Sequence, residues 1–198
     1  MARGDPGVVT GRLVLVVGPS GVGKDSVLRY AMAHFARDAR FVFPRRCVTR
    51  VVDVAAEDHD SVDEQTFDEL AGKGAFALMW EAHGHKYGVR NDINTELQRG
   101  RIVAVNVSRT IIAEVAGRYQ NAVVVEITAD PSTREARLAA RGREAVDDLR
   151  QRAQRQVATP VDILPLHVIK NDGNISDAGD EFCKLLASLN FGDSQIHA

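Results

Sequence analysis

The stretch LVLVVGPSGVGKDSVL, residues 13–28, decides the fold of this chain. Its first five residues are all apolar and rich in valine, which predicts a strand buried on both faces of a parallel sheet. A glycine-rich turn follows, and apolar residues then recur at helical spacing over residues 25–36. Strand, turn and helix in this order predict a phosphate-binding loop at the N-terminus of a helix.

The loop itself, GPSGVGK at residues 18–24, fits the pattern G-x-x-x-x-G-K. Glycines allow backbone N–H groups to converge on phosphate oxygens, and the lysine reaches the β- and γ-phosphates of a nucleotide. A chance glycine-rich turn is the alternative interpretation. We therefore predict ATP and Mg²⁺ as cofactors and Lys24 as a catalytic residue, with a nucleotide-binding set of Gly18, Pro19, Ser20, Gly21, Val22, Gly23, Lys24, Asp25 and Ser26.

Composition limits the classes of function. The chain has 198 residues, of which 44% are hydrophobic and 26% charged, as expected for one soluble domain. Its net charge of -2 gives no global positive field for binding nucleic acid or an anionic membrane. The two cysteines have no metal-site spacing, and neither a signal-peptide core nor a run of 18 apolar residues occurs. We expect a cytoplasmic protein with reduced thiols.

Strand and helix patterns alternate along most of the chain. This alternation predicts an α/β fold of the P-loop NTPase type, with a parallel sheet flanked by helices. Further buried strands are predicted at residues 101–107, 121–127 and 166–172, and further helices at residues 109–119, 130–142, 144–156 and 176–189.

Residues 45–100 depart from this alternation. Short strand-like pieces at residues 47–50, 76–81 and 86–89 accompany a helical pattern at residues 64–71. We interpret the segment as a substrate-binding insertion in a single domain, 1–198. The predicted core then comprises residues 11–44 and 101–190, and residues 139–156 form a helical lid.

Several motifs resemble those of guanylate kinases, and the likeness extends from GPSGVGK to about residue 189. CVTR (47–50) resembles the phosphate-binding Thr-Thr-Arg of that family, and AHGHKYGV (82–89) resembles its His-Gly-x-x-Tyr-Gly segment. RLAARGRE (137–144) is similar to the arginine-bearing lid, and KNDG (170–173) to an Asn-Asp pair near adenine. The resemblance implies the same fold and an ATP-binding site.

The departures from guanylate kinases concern recognition of the base. Apolar Leu78 and Met79 lie near the position of the guanine-reading glutamate, and AAEDHDSV (55–62) has no match for the tyrosine of the Gly-x-Asp-Tyr segment. A buried guanine edge without these partners would cost about 1–3 kcal/mol for each unpaired group. We therefore expect an acceptor other than GMP.

The ordered motifs more closely resemble those of ribose 1,5-bisphosphate phosphokinases, guanylate-kinase relatives of the phosphonate-degradation pathway. The similar segments are GPSGVGKDS (18–26), Glu57-x-His59 after Thr-Arg, WEAHGHKYGV (80–89) and VNVSR (105–109). The resemblance implies transfer of the γ-phosphoryl group of ATP to the 1-phosphate of ribose 1,5-bisphosphate. The products would be 5-phosphoribosyl 1-pyrophosphate (PRPP) and ADP.

Asp25 follows the loop lysine, where P-loop enzymes usually carry a hydroxyl that holds Mg²⁺. The predicted strand at residues 101–107 carries Asn106 where an acid often helps to hold the ion. We predict that Asp25 supplies the missing negative charge to the metal or to its bound water. Alternatively, Asp25 only favours the start of the helix through the helix dipole.

The acceptor carries two phosphates and no base, so its site should be rich in arginine. Arg46 and Arg50 flank CVT and are predicted to bracket one phosphate, and Tyr87 matches a phosphate-binding tyrosine of the related family. The alternative interpretation of Arg45 and Arg46 is a solvated basic run after Pro44. Weaker candidates for the substrate site are Glu57 and His59, for sugar hydroxyls, and Arg109, whose alternative role is to begin the next helix.

Arg141 and Arg143 lie in ARGRE (140–144), where we expect a mobile lid that closes over ATP and adds positive charge to the transferring group. Arg152 matches a returning arginine of the family, although its spacing from Asp148 also suits an exposed helix pair. Asn171 is predicted to contact adenine, while NDG is also a good turn sequence.

The attacking phosphate oxygen is already ionised near neutral pH, because its second pKa is about 6, so no catalytic His or Cys is predicted. Two other functions stay open. One is a nucleoside monophosphate kinase with an altered base preference, and the other is a guanylate-kinase-like binding module without chemistry. Retention of Lys24 and of the lid arginines disfavours the binding module. We expect a phosphorylated sugar as the small-molecule substrate and neither nucleic acid nor membrane as a partner.

Overall fold

A five-stranded parallel sheet lies at the centre of the structure, a computed structural model that describes residues 11–50, 59–82, 84–140 and 163–189. Its strands, numbered in chain order, are β1 (Arg12–Val17), β2 (Phe41–Val42), β7 (Ile102–Asn106), β8 (Ala122–Thr128) and β9 (Leu166–Lys170). They lie in the order β2-β7-β1-β8-β9, and all four pairings are parallel. This arrangement confirms the predicted α/β fold.

A second sheet is built from residues 46–90. Its strands are β3 (Arg46–Val48), β4 (His59–Ser61), β5 (Phe76–Ala82) and β6 (His85–Arg90), in the order β4-β3-β6-β5. The pairing of β3 with β4 is parallel, and β6 is antiparallel to both β3 and β5. The sheet lies within the segment 45–100, whose role as a substrate-binding insertion stays a prediction.

Helices flank the sheets. The described helices are α1 (Lys24–His34), α2 (Glu64–Gly72), α3 (Asp92–Gln98), α4 (Ile112–Arg118), α5 (Pro131–Ala140) and α6 (Ile175–Ser188). A 3-10 turn, Arg109–Ile111, precedes α4, so the predicted helix at residues 109–119 starts irregularly. The predicted helix at residues 144–156 and most of the predicted lid lie outside the described residues. Within the described part of the chain, no helix combines the length and the apolar character needed to span a membrane.

The strand β1 separates two apolar clusters because its side chains alternate between the two faces of the sheet. Leu13, Leu15 and Val17 pack with residues of β7 and of the second sheet, including Trp80 and Tyr87. Val14 and Val16 pack instead with α1 and α6, through residues such as Val27 and Phe182. Both faces of β1 are therefore buried, as the run of apolar residues predicts, and the strand fixes the start of the phosphate loop.

Candidate functional site

The phosphate loop needs glycine at two positions for different reasons. A Cβ on Gly18 would collide with the carbonyl oxygen of Ile127, and the φ of Gly18 is 143°. A Cβ on Gly23 would lie 2.5 Å from the Nδ2 atom of Asn171, and its φ is 89°. Only glycine adopts such backbone angles without strain and leaves room for these neighbours. The loop is thus shaped by its packing against β8 and the residue after β9.

Lys24, the first residue of α1, is folded back over this loop. Its Nζ atom donates hydrogen bonds to the carbonyl oxygens of Gly18 and Pro19, at 2.8 and 3.0 Å. The ammonium group is therefore held at the mouth of the loop, where the helix N-terminus adds partial positive charge. The predicted contact of Lys24 with the phosphates of a nucleotide stays a prediction.

Asn171 fastens the loop to the end of β9. Its Nδ2 atom donates a hydrogen bond to the carbonyl oxygen of Val22 at 2.8 Å, and its backbone N–H donates to Thr128 at 2.8 Å. The residue is 2% exposed, and its Oδ1 atom has no hydrogen-bond partner within the part of the chain that the structure describes. Asn171 therefore supports the loop, and its predicted contact with adenine stays a prediction.

Two arginines of α5 that had no predicted role also reach this region. Arg134 donates from Nε to the carbonyl oxygen of Ser20 at 3.4 Å, and Arg137 donates from Nη1 to the carbonyl oxygen of Asn171 at 2.8 Å. They are three residues apart, so they share one face of the helix. The sequence could indicate these contacts only through the spacing of the two arginines. Both arginines donate to backbone carbonyl oxygens, which every residue type carries.

Asp25 is the meeting point of the phosphate loop and the second sheet. Its Oδ1 atom accepts hydrogen bonds from Asn106 Nδ2 at 2.8 Å and from Arg46 Nη2 at 3.3 Å. Asn106 is the last residue of β7, and the parallel register pairs it with Val16 of β1. The end of β7 and the start of α1 therefore bring together Asn106 and Asp25, the aspartate that is predicted to supply the negative charge missing at Asn106.

Asp25 could be one ligand of a magnesium ion whose other ligands are phosphate oxygens and water molecules. Within the described ranges, no group of three or more His, Cys, Asp or Glu side chains could hold a metal. Mg²⁺ in kinases is commonly held by one or two carboxylates, with phosphate oxygens and water completing its octahedron. The Asp25 side chain is 30% exposed and lies one residue from Lys24, so it suits this kind of site.

A cleft beside Asp25 separates α1 from the chain that leads into the second sheet. Asp25, Arg46 and Asn106 line it together with apolar side chains of α1 and of the segment after β2, including Leu28, Met32 and Phe43. The cleft therefore holds a carboxylate, an amide and a guanidinium against an apolar wall. This combination suits a small anionic ligand next to a nucleotide phosphate.

Arg46 and Tyr87 lie together in the second sheet. The Cζ atom of Arg46 is 6.0 Å from the centroid of the Tyr87 ring, which stacks on Trp80 at 5.3 Å with an interplanar angle of 5°. Arg46 is 9% exposed, so it is not part of a solvated basic run. Arg45 is the solvent-facing neighbour, with its side chain 52% exposed and paired with Asp60 at 3.3 Å.

The other acceptor-site candidates occupy different surroundings. His59 begins β4 and is 3% exposed, so it is not a solvated loop histidine. Arg50 lies just after β3 and is half-buried, and its carbonyl oxygen accepts a hydrogen bond from Ser61. Arg109 follows β7 and forms a 2.5 Å ion pair with Glu126 of β8, on the side of the five-stranded sheet. Glu57, Arg141, Arg143 and Arg152 lie outside the described residues.

The region predicted to lack a base reader is apolar in the structure as well. Leu78 and Trp80 of β5 are 1% and 8% exposed and belong to the core cluster, while Met79 is 43% exposed. Among these three side chains, the only hydrogen-bond donor that could contact the edge of guanine is the indole N–H of Trp80. The expectation of an acceptor other than GMP therefore rests on the types of these three residues and stays a prediction at this point.

Comparison with known proteins identifies the family. A curated ribose 1,5-bisphosphate phosphokinase PhnN of Bradyrhizobium diazoefficiens is 48% identical over 158 residues, which are 79% of this chain and 79% of the relative. The chain belongs to the ribose 1,5-bisphosphate phosphokinase family. Relatives of the same name from Methylobacterium radiotolerans and Pseudofrankia inefficax are 45% and 41% identical, over 90% and 89% of this chain and 97% and 90% of theirs. No protein-family model matches the chain.

Solved structures confirm the fold of this phosphokinase family member. Guanylate kinase from Anaplasma phagocytophilum superposes with a TM-score of 0.67 over 92% of this chain and 88% of its own, at 16% identity. A sugar kinase from a Janibacter species gives a TM-score of 0.53 at 12% identity, over 92% of this chain and 99% of its own. At such identities the likeness concerns the fold alone, so guanylate kinase is a neighbour in architecture. The predicted family is confirmed by the more similar curated relatives.

Proposed function

We propose that this protein transfers the γ-phosphoryl group of ATP to the 1-phosphate of ribose 1,5-bisphosphate, giving PRPP and ADP. The observation that carries the proposal is the contact of Arg46 with Asp25, which joins the phosphate loop to the second sheet at 3.3 Å. An acceptor phosphate bound by Arg46 would lie beside the nucleotide phosphates. Membership of the family supports the same assignment, as does the apolar residue type at Leu78 and Met79.

The reaction forms a bond between an oxygen of the 1-phosphate and the γ-phosphorus of ATP. The bond from that phosphorus to the β–γ bridging oxygen breaks, and the electron pair remains on ADP. No base is needed, because the attacking phosphate is ionised near neutral pH, with a second pKa of about 6. Catalysis is then a matter of positioning the two phosphates and stabilising charge.

Separate groups of residues bind the nucleotide, hold the metal ion and close over the transferred phosphoryl group. Lys24 and the backbone N–H groups of residues 20–26 hold the nucleotide phosphates, and Asn171 would contact adenine. Mg²⁺ held at Asp25, directly or through water, would offset the charge of the β- and γ-phosphates. The lid arginines Arg141, Arg143 and Arg152 would exclude water and add positive charge during transfer.

The acceptor is held by the second sheet and its neighbours. Arg46, Arg50 and Tyr87 bind phosphate oxygens, because a forked guanidinium suits a dianion and a phenol can donate to one. Secondary contacts to the sugar or to the far phosphate come from Glu57, His59 and Arg109. We expect this reaction to take place in the cytoplasm, where ATP is supplied.

A side-by-side assay tests the proposal. Purified protein with ATP and Mg²⁺ is offered ribose 1,5-bisphosphate or GMP at equal concentration, and the products are identified by mass spectrometry. We expect PRPP to form much faster than GDP. Faster conversion of GMP would instead support a nucleoside monophosphate kinase, and ATP binding without any product would support a binding module.

A further inference from the structure

Arg46 stands between two sites that the proposed reaction must fill together. It is the first residue of β3, where it pairs with Val89 of β6 and His59 of β4. Its guanidinium lies against Tyr87 of the second sheet and at the same time donates to Asp25 at the start of α1. One side chain therefore touches both the acceptor region and the metal region.

The geometry at Asp25 makes these two contacts interdependent. The Oδ1 atom already accepts hydrogen bonds from Asn106 and Arg46. A divalent cation at this carboxylate would approach a guanidinium whose side chain is only 11% exposed, so water screens their repulsion poorly. The same guanidinium is a planar donor that suits a phosphate dianion. A phosphate that draws Arg46 away from Asp25 removes the repulsion and leaves the carboxylate to the cation.

We infer that Arg46 couples the binding of the acceptor phosphate to the binding of a divalent cation at Asp25. The inference rests on the proposed function, because it places Mg²⁺ and the acceptor on either side of this residue. Coupling between two sites is reciprocal, so the acceptor raises the affinity for the cation and the cation raises the affinity for the acceptor by the same factor. We expect a factor of about ten, within the usual range of roughly 5 to 150.

This coupling has a consequence for catalysis. With ATP alone, the ion pair of Asp25 with Arg46 weakens the hold on the metal. Arrival of the acceptor completes the metal site, so the nucleotide is activated chiefly when a phosphate is present to receive the transferred group. Arg46 would thereby limit transfer to water as well as bind substrate.

The first part of the test needs no acceptor. Mn²⁺ is titrated into the full-length protein saturated with the non-hydrolysable ATP analogue β,γ-imido-ATP, and bound Mn²⁺ is measured by the relaxation rate of water protons. Arg46→Gln should bind Mn²⁺ about tenfold more tightly than the unaltered protein. Arg46→Lys keeps the charge and should stay within about twofold of it. Equal affinities for Arg46→Gln and the unaltered protein would overturn the inference.

Arg45→Gln is the matched control. It removes the same charge from the adjacent residue, but Arg45 pairs with Asp60 and with the carbonyl oxygen of His59 rather than with Asp25. Its affinity for Mn²⁺ should be unchanged. A tenfold gain in this variant also would show a general effect of net charge and would refute a specific role for Arg46.

The second part uses the unaltered protein, so it does not depend on the folding of any variant. Adding ribose 1,5-bisphosphate should tighten Mn²⁺ binding about tenfold in the unaltered protein and less than about twofold in Arg46→Gln. If calorimetry shows that the sugar binds while the affinity for Mn²⁺ stays constant, the inference is wrong. If the sugar does not bind at all, the proposed function fails, and the first part still decides the role of Arg46.

Discussion

The five-stranded sheet and the four-stranded sheet hold their parts of the site in different ways. In the five-stranded sheet, β1 is buried on both faces by two separate apolar clusters, and the phosphate loop follows it directly. In the four-stranded sheet, one face joins the first of these clusters through residues such as Val48 and Trp80. The opposite face is covered by a small cluster of Cys47, Phe67 and Phe76. The phosphate loop is therefore anchored more strongly than the second sheet.

This difference suits a kinase that binds two ligands of unequal kind. The shape of the phosphate loop is fixed by collisions that exclude any side chain at Gly18 and Gly23. Strand β3, which we propose to hold the acceptor, has only three residues, and its link to the loop includes the ion pair of Arg46 with Asp25. This ion pair is a single contact at 3.3 Å, and a phosphate dianion suits the same forked guanidinium, so the link can exchange partners during the reaction. Variants in the two sheets should consequently have different kinetic signatures.

The largest effect is expected in the five-stranded sheet. Replacing Lys24 by Met should lower kcat by at least about 10²-fold, because such preorganised electrostatic contacts to a transition state typically contribute 10²–10³. The measurement is PRPP formation at saturating ATP and acceptor. Lys73→Met, which alters an exposed lysine near the end of α2 paired with Glu69 at 4.0 Å, is the control and should leave kcat unchanged. A Lys24→Met variant with normal kcat would remove the loop from the mechanism.

The next effect is expected in the second sheet and should concern the acceptor alone. Replacing Arg50 by Gln should raise the KM for ribose 1,5-bisphosphate by about 10- to 100-fold, because hydrogen bonds to charged groups contribute about 1.5–3 kcal/mol. The KM for ATP should change less than about twofold. Steady-state kinetics with each substrate varied in turn provide the measurement. An equal rise in both KM values would contradict the division of labour between the two sheets.

The sequence predicted the five-stranded sheet well because its signals are local. A run of apolar residues followed by GPSGVGK specifies strand, loop and helix within 16 neighbouring positions. The strand β2 was not predicted, because its two residues, Phe41–Val42, are too few to show a hydrophobic periodicity. They form a strand only by pairing with β7. Strand β4 and helix α3 were likewise not predicted, because His59–Ser61 is polar and Asp92–Gln98 is short.

The candidate site shows the same limit. Residue type alone suggested that Asp25 supplies the negative charge that Asn106 lacks. The structure places Asn106 Nδ2 2.8 Å from Asp25 Oδ1, although the two residues are 81 positions apart in the chain. The contact of Arg46 with Asp25 could not be predicted, because it depends on how the second sheet packs beside α1. The ion pair of Arg109 with Glu126 likewise joins the turn after β7 to β8, two parts of the chain that no short motif connects.

A smaller effect is expected on the stability of the second sheet. Gly88 of β6 lies beneath the ring of Phe76, where an added Cβ would be 2.6 Å from the nearest ring carbon. Gly88→Ala should therefore destabilise the second sheet by about 1–3 kcal/mol, as is typical of overpacking. Urea unfolding followed by circular dichroism measures the change. Gly72→Ala, at the end of α2 with no atom within 4 Å of the added Cβ, should change the free energy of unfolding by less than about 0.5 kcal/mol.

The two cysteines report the local opening of the two regions, because one lies in the second sheet and the other packs against the five-stranded sheet. Cys47 lies in β3 and Cys183 in α6, and both are buried. Burial raises the pKa of both thiols, to about 11 for Cys183, so little reactive thiolate exists at pH 8 until the surrounding structure opens. Because Cys47 belongs to the small cluster, its local opening should require less free energy. Iodoacetamide should therefore label Cys47 about tenfold faster than Cys183, as measured by peptide mass spectrometry.

Ligands should change these two labelling rates differently. An acceptor that binds the second sheet stabilises its closed form, so ribose 1,5-bisphosphate should slow the labelling of Cys47 in proportion to its occupancy. The rate for Cys183 should change little, because that thiol lies in the cluster between α1, α6 and the five-stranded sheet. Faster labelling of Cys183 than of Cys47, or equal protection of both by the acceptor, would mean that the two sheets open as one unit. The different kinetic effects expected for Lys24→Met, on kcat, and for Arg50→Gln, on the acceptor KM, would then need a cause other than a difference in local stability.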